Sequence, residues 1–137
     1  MGTFKTVEEA AAFFKNDRFA TENGVELIEL DDEHALARLV IEPRHRNAIG
    51  AVMGGAIFTL ADLAISAHGT QLYKPVIGMD NNIHFLSGAK GDVLYAKSRC
   101  LKNGRTTIIL EAEVTDDTGR LVAVMTGTAF KLKPAFT

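Results

Sequence analysis

The sequence predicts an α+β fold, an antiparallel sheet curled around one long helix, from three features of its pattern. Residues 53–68 form an apolar helical run, with Met53, Ala56, Ile57, Leu60, Ala61, Ala64 and Ala67 covering most of its circumference. A helix that is hydrophobic nearly all round is expected to be wrapped by other structure. Extended segments lie on both sides of it, two before and four after. Asn103-Gly104 and Asp116-Asp-Thr-Gly119 separate the later ones with hairpin-turn chemistry.

In chain order, Thr6-Val-Glu-Glu9 has the form of a capping box and opens a short amphipathic helix over about residues 7–16. Asn23-Gly24 breaks the chain before a strand, Val25 to Leu30. Asp31-Asp32-Glu33 turns it into a second strand, His34 to Ile41, whose residues alternate in character. Pro43 ends that strand, and Arg44 to Gly50 form a polar loop. The long helix follows, with Gly69 as its expected stop. The later strands read as Val76 to Leu86, Val93 to Lys102, Thr106 to Thr115 and Leu121 to Leu132, an antiparallel meander.

Composition narrows the function. At 137 residues the chain is one domain by length, 1–137, with 47% hydrophobic and 23% charged residues. A formal net charge of −2, without a basic cluster interleaved with aromatics, excludes general attraction to nucleic acid or anionic lipid. The single cysteine, Cys100, rules out an intrachain disulfide and cysteine-rich metal sites, and reads as a small apolar filler. His34, His68 and His84 are scattered without ligand-like spacing, so no metal is expected. His45 reads as a solvated loop residue or a local hydrogen bonder. No stretch has transmembrane length, and Glu8 and Glu9 interrupt any secretory pattern, so a cytoplasmic protein without membrane partners is expected. MGTFKT fits the short, loose myristoylation pattern.

One residue stands out within the helix. From Ala51 to Ala67 the only ionisable side chain is Asp62, beside Phe58, Leu60, Leu63 and Ile65. Taking a carboxylate out of water without a partner costs several kcal/mol, so it is rarely placed there without a use. The segment opens with Gly54-Gly55, whose bare backbone lets a ligand approach the free N–H groups of the first turn. An acid in an apolar wall and a helix start rich in donors are two parts of an acyl-transfer site.

The spacing Asn47-Ala-Ile-Gly50-Ala-Val-Met53-Gly54-Gly55, followed by Asp62, resembles the hotdog-fold thioesterases, specifically the PaaI-like acyl-CoA thioesterases of phenylacetic acid degradation. The likeness runs over about residues 20–133, through Gly91-Asp92, Asn103-Gly104-Arg105 and Gly119-Arg-Leu-Val-Ala123. Met53 replaces the histidine usual in that pattern, Gly78 falls where many relatives carry Ser or Thr holding the attacking water, and Ser87-Gly88 stands where Arg-Pro is frequent.

The resemblance implies hydrolysis of an acyl-CoA to free acid and CoA, with no cofactor beyond the CoA of the substrate. Gly54 or Gly55 would polarise the carbonyl, Asp62 would act as general base or nucleophile, and Asn47 would hold the water or the thioester. Gly50, Met53, Gly78 and Met79 are the expected substrate contacts, with Phe58 and Leu63 in the acyl wall and Lys90, Lys102 and Arg105 as candidates for the CoA phosphates. Two alternatives keep the fold: a non-catalytic acyl-CoA binder, allowed by Met53 and Gly78, and a hydratase or dehydratase, which would want a catalytic histidine where Met53 stands.

Helix geometry adds a partner. Gly54 and Asp62 are eight residues apart, roughly 12 Å along one helix axis, too far to serve one carbonyl carbon. Two antiparallel copies of the helix would bring Asp62 of one chain beside Gly54 of another, so a homodimer with two interfacial sites is expected, with further association into a tetramer left open.

Overall fold

The computed structural model describes residues 2–133. Six strands form one antiparallel sheet: β1 (Val25–Leu30), β2 (Ala35–Val40), β3 (Val76–Phe85), β4 (Val93–Asn103), β5 (Thr107–Asp116) and β6 (Leu121–Lys131). Helix α3 (Gly54–Leu72) lies across them, and α1 (Val7–Phe14) and α2 (Arg18–Glu22) close the β1 side. No helix is long and apolar enough to cross a membrane among the described residues.

The core sits between α3 and the sheet. Leu60, Ala61, Ala64 and Ala67 of the helix are fully buried, as are Leu94, Ala96, Leu110, Ala112, Val114 and Met125 of the strands. Small residues on the helix let the sheet approach closely and curl around it. His68 is a polar member of this core. Its ring nitrogens contact Ser98 Oγ at 2.9 Å and the Asp32 carbonyl at 3.0 Å. Burial holds its pKa below the ordinary histidine value.

The wrapping of α3 is incomplete along one stripe. Gly55 is exposed, and Thr59, Asp62 and Ser66 are half-buried, at helical spacings of four, three and four. That stripe carries the only charge of the segment.

The short helix α1 begins where its capping signal predicts: Glu9 N donates to Thr6 Oγ1 at 3.1 Å, and the Glu9 carboxylate accepts from Lys5 N at 3.2 Å. It ends at Phe14, and a second short helix, α2, occupies residues for which the sequence predicts no element. Asp17 stands at its N-cap position, but its side chain makes no capping hydrogen bond.

Two other expectations fail. The sheet order is β1-β2-β4-β5-β6-β3, so β3 does not begin a meander but crosses to the far edge and pairs with β6. And α3 does not stop at Gly69; it continues to Leu72. Gly69 is buried there. A Cβ on it would lie 3.6 Å from Leu110 Cδ1 and from Val76 Cγ2, ordinary van der Waals distances. Burial against the sheet therefore carries the helix through a residue that costs roughly 0.5–1 kcal/mol relative to alanine. Gly69→Ala is expected to stabilise the fold by about that amount, read as a higher urea midpoint at unchanged m-value. A lower midpoint would mean that the sheet cannot accept the methyl group.

Candidate functional site

Asp62 lies in a cleft of about 330 Å³ between α3, β3 and the segment joining α1 to α2, with Asp17, Ser66, Lys74, Gly78, Asn81 and Thr128 among its walls. Asn81 Nδ2 donates to Asp62 Oδ1 at 3.1 Å. Burial raises the Asp62 pKa above the usual carboxylate value, the Asn81 hydrogen bond pulls it back, and Asp17 adds a smaller upward push. The result is a carboxylate that is poorly solvated and held by one hydrogen bond.

The face of β3 that lines this cleft is set by a bulge. Gly78 pairs with Ala129 and Asp80 with Thr128, leaving Met79 as the extra residue. One inserted residue exchanges faces, so Gly78 and Asn81, three apart, both turn toward Asp62. Met79, an expected substrate contact, is 61% exposed at the bulge and outside the described cavities lined by Asp62, Gly54 or Gly55.

Gly54 and Gly55 occupy the first turn of α3, after Met53 in the N-cap position. Met53 supplies no capping hydrogen bond, and the Gly54 and Gly55 amides donate to no described group. Their N–H groups stand at the positive end of the helix. Gly54 faces a separate cleft with Phe85, Leu86, Ser87 and Ala89. A Cβ at Gly54 would lie 3.0 Å from Phe85 Cζ, so a larger residue there requires the ring to shift by a few tenths of an ångström. Gly55 and Met53 border a third cavity of about 370 Å³, with Phe19, Val25, Leu39 and Phe58 as apolar walls. Within one chain, then, Asp62 and Gly54 line different clefts.

Asn47 is held in the loop before α3. Its Oδ1 accepts from Ile49 N at 3.1 Å and Ala51 N at 3.0 Å, an Asx-type turn. Gly50 has φ +85° at the tip of that loop, a conformation that favours glycine, and its carbonyl accepts from Arg46 Nη1 at 2.9 Å. The two residues shape the loop that leads into the helix start. His45, which could have been solvated, is instead buried, with Nδ1 accepting from Glu42 N at 2.9 Å and Nε2 contacting the Asn23 carbonyl at 2.6 Å.

The basic candidates are split between the two ends of the sheet. Lys102 and Arg105, both exposed, belong to the β4–β5 hairpin, at the end where β3 begins. Lys90 lies at the other end, next to Ala89 of the Gly54 cleft. Its amide donates to Asp116 Oδ2 at 2.7 Å. The Thr118 hydroxyl and the amides of Lys90, Arg120 and Thr118 hold the Asp116 pKa down to about 2. Sequence reasoning passed over Asn81, Asp17 and Phe85. Asn81 carried one weak signal, an amide pair in an otherwise extended run.

A long helix wrapped by a six-stranded antiparallel sheet is the architecture of the hotdog class. The chain belongs to the thioesterase superfamily, whose sequence pattern matches residues 49–123. Within that class it is PaaI-like. It is 25% identical to the acyl-coenzyme A thioesterase PaaI of Escherichia coli over 129 residues, 93% of this chain and 92% of that protein. It is 31% identical to acyl-coenzyme A thioesterase 13 of Mus musculus over 104 residues, covering 72% of this chain and 74% of the relative. The structure of the E. coli PaaI protein superposes with a TM-score of 0.85 over 92% of each chain, at 24% identity. A hypothetical thioesterase from Streptococcus pneumoniae, solved with coenzyme A, superposes with a TM-score of 0.78 at 27% identity, covering 85% of this chain and 94% of that one.

Proposed function

We propose that the protein hydrolyses acyl-CoA thioesters to the free acid and CoA, at two equivalent sites each shared between two copies of the chain. The observation that carries this reading is Asp62, the lone charge of its helix segment, half-buried in a cleft that opens beside an edge strand. The family supplies the thioester, and the relatives named for acyl-coenzyme A substrates supply the CoA.

The pairing argument rests on β3. It has β6 on one side and no strand on the other among the described residues, and it exposes Ile77 and Phe85 at opposite ends. A ten-residue edge is a template for another strand. At its start lies the Asp62 cleft and at its end the Gly54 cleft. A two-fold axis through β3 would set the start of one copy against the end of the other, completing both sites by one operation. Lys102 and Arg105 of one copy would then lie at the same end of the joined sheet as Lys90 of the partner, candidates for the CoA phosphates. Met53, Gly50, Gly78 and the loop held by Asn47 border the path of the acyl group.

In the general-base route Asp62 takes a proton from water as the water oxygen bonds to the carbonyl carbon. The Gly54 or Gly55 amide takes up the charge developing on the carbonyl oxygen. The C–S bond then breaks, and the sulfur leaves with the proton returned by Asp62. In the nucleophilic route Asp62 attacks the carbon, releasing CoA, and water opens the resulting anhydride.

The test is release of CoA thiol from short, medium, long and aryl acyl-CoAs, with the mass of the native protein measured by light scattering. Turnover of at least one acyl class by a dimer or larger assembly is expected. No thiol release from any acyl-CoA, or full activity from a monomer, would overturn the reading.

A further inference from the structure

We propose that Asn81 is the positioning residue for Asp62, and that Gly127 is a glycine because Asn81 must be seated against it. The inference rests on the reading of Asp62 as the reacting carboxylate and adds what holds it. A carboxylate only accepts, so the amide must present its Nδ2 to Asp62, and its Oδ1 then turns the other way. It turns onto Gly127, the residue directly paired with Asn81 across the β3–β6 ladder. A Cβ at Gly127 would run into Asn81 Oδ1. The two residues therefore form a lock: the missing side chain on β6 fixes the amide, and the amide fixes one carboxylate oxygen of Asp62.

The lock compensates for a loss. Gly78, on the same face of β3, has no side chain to reach the carboxylate or a water beside it, and a Cβ there would meet nothing within 4 Å. The bulge at Met79 is what lets Asn81 share that face. With Oδ1 of Asp62 held by Asn81 at 3.1 Å, the second carboxylate oxygen has no hydrogen-bond partner among the described residues and is left to the cleft.

The charges that face Asp62 are few. Asp17 and Arg18 stand at the start of α2, and Lys74 stands just after α3. From β3 and β6 the cleft receives Asn81 and Thr128 but no titratable side chain. Asn81 is thus the closest group that favours the ionised form, and removing it should leave burial and Asp17 to act alone.

The test compares Asn81→Leu, which keeps the volume without the donor, with Gly127→Ala, which leaves Asn81 in place but displaces its amide. Two readouts are taken: the pH profile of kcat/KM with the best acyl-CoA, and the titration of the Asp62 carboxyl carbon followed by NMR in ¹³C-labelled protein. Both variants are expected to lower kcat about ten- to hundredfold with little change in KM, and to move the acid limb upward by about one pH unit or more. The double variant should be no worse than either single one, because both break the same contact. An Asp62 titration and an acid limb that stay at their wild-type positions in both variants would overturn the proposal. Turnover surviving Asp62→Asn is a different failure: it would remove Asp62 from the chemistry, and Asn81 with it, even where the titration had moved. Where Asn81→Leu fails to fold, Gly127→Ala carries the test alone.

Discussion

Asp62→Asn is expected to lower kcat by about 10²–10⁴-fold, the contribution of a positioned general base, and at the same time to raise thermal stability near pH 7. The two effects have one cause. The carboxyl is half-buried on α3, and burial sets its folded pKa above the value it has in the unfolded chain. Between those two values the folded state holds the proton that the unfolded state has lost, so stability falls as pH rises through the window. Above it the ionised group imposes its full cost on the fold. Asparagine keeps the shape and can still accept from Asn81, but never ionises. The stability gain should therefore be present at neutral pH and vanish below the ordinary carboxylate range. Melting curves at pH 7 and near pH 3, run beside thiol-release assays, check both halves. Turnover within a few-fold of wild type would remove Asp62 from the chemistry, and an equal gain at both pH values would remove burial as the source.

The second large effect concerns the helix start. Gly54→Pro is expected to reduce kcat by about 10²–10³-fold if its amide is the donor to the carbonyl oxygen, the usual loss for one such donor. The backbone accepts the change. Met53 has φ −65° and ψ 136°, which suits a residue before proline, and the first helical position tolerates proline because its N–H has no helical partner. Gly54→Ala is the control, since its Cβ makes the same close approach to Phe85 while the amide remains. Equal kcat in the two variants would pass the role to Gly55. Mixing extends the test to the shared site: a dimer with one Asp62→Asn copy and one Gly54→Pro copy would contain one site with both groups intact. Random reassociation of the two inactive proteins should then restore roughly a quarter of wild-type sites. No recovery despite verified exchange of copies would place both groups in one chain's site.

Much of this was written locally in the chain. The bounds of Val25–Leu30 followed from the Asn23-Gly24 break and the Asp31-Asp32-Glu33 turn, and the β4–β5 and β5–β6 turns from Asn103-Gly104 and Asp116 to Gly119. Asp62 needed no structure to stand out, because it is the only ionisable side chain between Ala51 and Ala67. The separation of Gly54 from Asp62 likewise follows from the rise of a helix alone.

What only the tertiary structure decided lies where distant segments meet. Gly69 looks like a stop when judged by its own propensity, but packing against Leu110 and Val76 outweighs that penalty and α3 runs on to Leu72. Nothing near β3 says that it will cross the fold to β6 rather than pair with β4, because a strand's own residues encode its faces and not its neighbour. The bulge at Met79 then exchanges those faces, taking Met79 out of the cleft and bringing Gly78 and Asn81 in. Sequence thus determined the six strands, the long helix and which carboxylate is out of place. Register determined which side chains reach that carboxylate, since a shift of one residue in a ladder reverses every side chain beyond it, and that shift is fixed by pairing with residues some fifty positions away.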